Sequence, residues 1–110
     1  MSLRMTASIL TVLCSWVLWE KWIYQPEGEP TQRLVQAVLE TKTLSECRAA
    51  SPDFAQRRAT LFKNSYKEPE YGVVAGDFSA ILINKGKKLT LQQYIWYCLP
   101  STVDPYRDPQ

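Results

Sequence analysis

"TLSECRAASPDFAQRRATLFKN", residues 43–64, decides the fold class, because the chain on either side of it reads as strand. Thr43 and Glu46 have the spacing of a capping box: the hydroxyl accepts from the Glu46 amide while the carboxylate reaches back. The spacing predicts a helix from Leu44. Cys47, Ala50, Phe54, Arg58, Leu61 and Phe62 recur at intervals of three and four, apart from the last adjacent pair. They predict one apolar face, crossed by the stem of an arginine. Pro52 removes a hydrogen bond and crowds the preceding turn. Either the helix kinks there or Ser51 caps a second helix with Pro52 at its first position. One bent unit from 44 to about 64 is expected.

Working outward, "SWVLWEKWIY" (15–24) has the β-branched and aromatic composition of a strand. Alternation puts Leu18, Glu20, Trp22 and Tyr24 on one face and Val17, Trp19, Lys21 and Ile23 on the other. "QPEGEP" (25–30) is a loop. "TQRLVQAVLET" (31–41) is ambiguous: Leu34, Val35, Val38 and Leu39 suit a helix, while Val35, Ala37 and Leu39 alternate as in a strand. After the helix, "GVVAGDFSAILIN" (72–84) carries one or two strands, with Gly76 and Asp77 as a bulge or turn. "NKGK" (84–87) places Gly86 where a tight hairpin needs positive φ. "KLTLQQYIWYCL" (88–99) returns as a strand, ended by Pro100, and "STVDPYRDPQ" (101–110) is turn-like or extended. The expected fold is α+β: an antiparallel sheet of three to five strands with one bent helix on one face. Residues 16–99 form the domain and 100–110 a Pro/Asp-rich tail.

A chain of 110 residues makes one small domain. Its formal net charge of +2 supplies no overall field for nucleic acid or acidic lipid. The basic residues gather in two groups, Arg57, Arg58, Lys63 and Lys67, then Lys85, Lys87 and Lys88. They read as a solvated helix face and a solvated hairpin tip, in preference to a phosphate-binding patch. The sequence holds no histidine. That excludes the commonest general base, Ser-His and Cys-His nucleophile pairs and the usual zinc sets. No cofactor or metal motif is present: there is no G-x-G-x-x-G, P-loop or C-x-x-C.

"MSLRMTASILTVLCSWVLW" (1–19) opens with Arg4 and then runs uncharged from Met5 to Trp19. Fifteen helical residues reach about 22 Å, short of a bilayer's hydrocarbon core. The pattern fits a short signal peptide over residues 1–15, cut near Cys14 or Ser15. Leu13 stands in the wrong place for a lipobox around Cys14. The alternative is a retained anchor, with Trp16, Trp19, Trp22 and Tyr24 as an interfacial belt around a helix running to residue 24. A buried element of a cytosolic domain is the third reading. The first two place the domain beyond the inner membrane, periplasmic or secreted, with membrane contact only if the segment is retained.

Export would leave Cys47 and Cys98, and an exported chain with two cysteines usually joins them. Cys47 lies in the first turn of the helix and Cys98 near the end of the last strand, ends that a helix packed on a sheet can bring together. Closing a loop of about 50 residues stabilises by about 4 kcal/mol in the chain-entropy model. A buried free pair in a cytosolic protein is the competing reading.

The motifs "WVLW" (16–19), "TLSEC" (43–47) and "CLPSTVDP" (98–105) resemble those of small exported bacterial proteins, mostly proteobacterial, to which no activity is assigned. In these a short signal precedes a W-x-L-W-like strand, a second strand leads into T-x-x-x-C, and the chain closes with C-x-P-x-T-V-D-P. The resemblance implies that the segment before Thr43 is a strand and that paired cysteines are a family feature.

Two carboxylate pairs at i, i+2 spacing, Glu27 with Glu29 and Glu68 with Glu70, are the only candidates for acid–base work. Loop solubility is the preferred explanation of both pairs, and no catalytic residue is assigned. The aromatics are more unusual: Trp16, Trp19, Trp22, Tyr94, Trp96 and Tyr97 occupy two strands. A single helix cannot cover both faces of these strands, so part of the set is core and the rest either an interaction surface or the aromatic edge of a thin core. The expected role is a non-catalytic envelope module that binds another protein or itself. A signal-anchored accessory subunit is the alternative, and a small carboxylate-dependent hydrolase a lesser one.

Overall fold

In the computed structural model, which describes residues 15–105, the capping box is formed. The Thr43 hydroxyl accepts from the Glu46 amide at 3.1 Å, and the Glu46 carboxylate accepts from the Thr43 amide at 3.1 Å. The box ends one strand and starts the helix within two residues. Helix α1 (Leu44–Ser65) then runs unbroken through Pro52. Ser51 does not cap a second helix. Its hydroxyl is fully buried and donates to the Asp77 carbonyl at 2.7 Å, tying the helix to a strand turn.

The strands are β1 (Trp16–Tyr24), β2 (Gln32–Thr41), β3 (Tyr71–Ala75), β4 (Ser79–Asn84) and β5 (Leu89–Pro100). They form one antiparallel sheet in the order β2-β1-β5-β4-β3. The ambiguous segment before Thr43 is therefore strand, on the sheet edge. Strands β2 and β3 are the two edges, so α1 must cross the whole sheet. Four strand spacings are about 19 Å, and 22 residues of helix reach about 33 Å. The helix is long enough to run diagonally, its start near β1 and β2 and its end over β3.

The first and last described strands pair in the middle of the sheet, from Trp16 opposite Pro100 to Tyr24 opposite Gln92. The sheet centre is thus closed by residues far apart in sequence. Cys47 and Cys98 are joined, with Cα atoms 6.2 Å apart and 51 positions of sequence between them. The bond fixes the first turn of α1 to the end of β5.

The buried helical face differs from the expected one. Cys47, Ser51, Ala55, Ala59 and Phe62 are buried, while Leu61 is 51% exposed. Small residues at every fourth position bring the helix axis close to the sheet. Large side chains such as Phe54 then flank the contact instead of filling it. Hydropathy alone does not show this, because serine and alanine carry little of it. The core beneath comprises Leu18, Ala80, Leu82 and Trp96.

The β4–β5 turn also departs from expectation. Gly86 does not take positive φ; Lys88 does, at 56°. The Asn84 side chain accepts from the Lys87 amide at 3.1 Å, so the turn is longer than a two-residue hairpin. The left-handed glycine is instead Gly28, φ 76°, in the β1–β2 loop. At the carboxyl end, the Ser101 amide donates to the Ser15 carbonyl and Val103 to Pro100, and Pro105 is buried. Pro100 therefore turns the chain back toward the start of β1. The signal segment falls almost wholly outside the described residues, as does the end of the tail.

Candidate functional site: an aromatic sheet with one covered face

The six aromatics divide by strand register. Leu18 and Trp96 are core, so alternation places Trp16, Leu18, Glu20, Trp22 and Tyr24 of β1 on the helix side. On β5 the helix side holds Gln92, Tyr94, Trp96 and Cys98. Trp96 is 1% exposed and packs 6.4 Å from Phe54 of α1. It is core, with no exposed surface to offer a partner. Tyr94 stacks on Trp96 at 5.9 Å and is capped by the Arg58 guanidinium, 4.1 Å above its ring. Burial raises the Tyr94 pKa above its ordinary value, and the Arg58 charge pulls the other way. Trp22 stacks on Tyr24 at 5.6 Å and donates its indole proton to Gln92.

Residues 16–24 form a strand held on both sides by β2 and β5. The membrane-anchor helix running to residue 24 is therefore not formed, and Trp16, Trp19, Trp22 and Tyr24 do not make a belt around one. Among the described residues no helix is long and apolar enough to cross a membrane.

One charged residue on the helix side escaped the sequence reading. Glu20, only 6% exposed, accepts from Trp96 Nε1 at 3.0 Å and from Gln36 Nε2 at 2.7 Å. Both donors serve a buried carboxylate through charge-assisted hydrogen bonds. Its inward position was legible from the alternation of β1; its two partners were not, because they come from β2 and β5.

The opposite face carries Val17, Trp19, Lys21 and Ile23 of β1, Gln93, Ile95, Tyr97 and Leu99 of β5, Ile81 of β4 and Val74 of β3. Trp19 stands directly opposite Tyr97, and Val17 opposite Leu99. No second layer of described residues lies over this face. Val74 is 55% exposed. The Trp19 indole nitrogen is buried and has no hydrogen-bond partner among the described residues.

The four candidate carboxylates are all exposed and do not converge. Glu27 and Glu29 line a cleft against Leu89 and Thr90, with Glu27 paired to Lys87 at 2.7 Å. Glu68 lines a different cleft with Tyr66 and Tyr71. No cluster of three or more metal-ligating side chains occurs among the described residues. Comparison with models of protein families, with curated sequences and with solved structures finds no match to this chain.

Proposed function

We propose that this chain is a non-catalytic protein-binding module of the bacterial cell envelope, docking through the sheet face opposite α1. The observation that carries the proposal is the one-sided helix layer. An antiparallel sheet commonly leaves one face to solvent, and that face is then mostly polar; large apolar side chains on it mark a contact site. The partner is another envelope protein or a second copy of the chain.

The disulfide supports the envelope location, since such bonds persist in oxidising compartments. The short apolar segment with Arg4 supports export, and kinship with small exported bacterial proteins is part of the same proposal. Intact mass before and after reduction tests the location. A chain shortened by about 15 residues, with two thiols protected until reduction, is the expected result.

Site-specific photocrosslinking in the intact envelope tests the surface. A crosslinker at Ile81 or Ile23 is expected to give a discrete adduct, and one at exposed Leu61 on α1 none. Adducts from Leu61 alone would overturn the assignment, as would none from the sheet face. The adduct mass distinguishes a second copy from a different protein.

A further inference from the structure

The two basic groups that look separate in sequence do not stay separate in the fold. Their members meet different fates. Arg57 lies over the Phe54 ring and Arg58 over Tyr94. Lys87 is paired with Glu27, the only ion pair among the described residues. Among the described residues Lys63, Lys67 and Lys85 form no ion pair, and all three line one cleft of about 470 Å³ where the end of α1 meets the edge strand β3.

Tyr66 and Tyr71 form the floor of this cleft, edge to face at 5.1 Å. Tyr66 is held in place by a hydrogen bond that its hydroxyl accepts from Gln92, and by the Phe62 ring against it. The Lys85 stem lies against Gly72, where a Cβ would stand 3.3 Å from Lys85 Cδ. The glycine leaves room for that stem. Glu68 lines the cleft and Glu70, whose carbonyl accepts from the Lys85 amide, stands beside it, so three lysines outnumber the two carboxylates.

We propose that this cleft binds a phosphate group carried on a small apolar or ring-bearing molecule. Three lysine side chains line one opening, and each gains attraction from an anion placed between them. Lysine is a point charge with three rotatable donors, suited to a tetrahedral oxyanion with several acceptor oxygens. The tyrosine floor takes the apolar part of the ligand. The same chemistry is offered by a soluble phosphomonoester and by a phosphatidic acid headgroup. The site lies beyond the sheet face described above and stands or falls independently of it.

The test titrates the full chain, isotopically labelled, with phenyl phosphate and with benzoate. A parallel arm measures sedimentation with phosphatidylcholine vesicles containing phosphatidic acid. Saturable shifts are expected around Tyr66, Lys67, Tyr71 and Lys85, with phenyl phosphate tighter than benzoate. Lys67→Gln and Lys85→Gln should each weaken phosphate binding about tenfold, the loss of one charge-assisted contact. Lys42→Gln, at the other end of the helix, should leave it unchanged. Response to the vesicles, weakened by the same two variants, assigns the headgroup source; response to phenyl phosphate alone assigns the soluble one. All chains share the amino-terminal segment, so differences between variants report the cleft. The proposal is overturned by equal affinity for benzoate, by equal loss in Lys42→Gln, or by no saturable response to either phosphate probe.

Discussion

Glu20 and Trp96 face each other across the central strand pair, and the indole Nε1 donates to the carboxylate at 3.0 Å. The contact joins a buried charge to the largest core side chain. Trp96→Phe keeps most of the apolar volume but removes one of the two donors to Glu20. A lost hydrogen bond to a charged group costs about 1.5–3 kcal/mol. Urea denaturation should show at least that loss, and stability unchanged within error would show that the pair contributes nothing.

Trp19→Phe is the matched control on the other face. Its indole nitrogen is already buried without a partner among the described residues, a condition that costs about 1–3 kcal/mol. Removing that donor offsets the lost ring area, so the same assay should find a change much smaller than for Trp96→Phe. A loss as large as that of Trp96→Phe would show that the indole proton is satisfied.

Joint replacement of Cys47 and Cys98 by alanine opens a loop with a sequence separation of 51. The chain-entropy model puts the cost at about 4 kcal/mol, a large share of a small domain's stability. The midpoint in urea should fall steeply, and reductant should then have no further effect. An unchanged midpoint would mean that the bond restrains little of the unfolded chain.

The capping box predicts a smaller, local effect. Thr43→Ala removes the acceptor for the Glu46 amide and should destabilise by about 1 kcal/mol. Hydrogen exchange should quicken in the first turn of α1. Thr43→Ser should restore both, and failure of that rescue would assign the effect to the lost methyl group.

Tyr94 governs an alkaline transition. Its folded pKa is raised by burial, so the fold favours the neutral phenol. Its contribution to stability is complete below the ordinary tyrosine value of about 10, and is lost as pH rises through the folded value. Ultraviolet or NMR titration should find Tyr94 ionising later than an unshifted tyrosine. Arg58→Gln removes the opposing charge and should move it later still; an earlier transition in that variant would contradict the geometry.

The legible parts of the fold were those written in short-range patterns. Thr43 and Glu46 lie three residues apart, and the alternation from Trp16 to Tyr24 is a property of one strand. The helical face was misread because Ser51, Ala55 and Ala59 carry little hydropathy, although they lie closest to the sheet. The turn at 84–88 was misread because Asn84 caps the Lys87 amide and shifts the left-handed residue to Lys88. Of the six strand aromatics, composition could not divide core from surface. That division needs the register of β5 against β1.

By itself the sequence determined the start of the helix, the strand character of the first and last segments and which residues of the first strand share a face. It also marked two cysteines as partners. These depend on contacts within a few residues, or on a choice with few alternatives. Only the tertiary structure decided the strand order, the pairing of β1 with β5, the two donors on Glu20 and the meeting of Lys63, Lys67 and Lys85 at one cleft. Each of these joins residues from distant segments. Their proximity follows from packing a single helix diagonally across five strands, a geometry that no local pattern encodes.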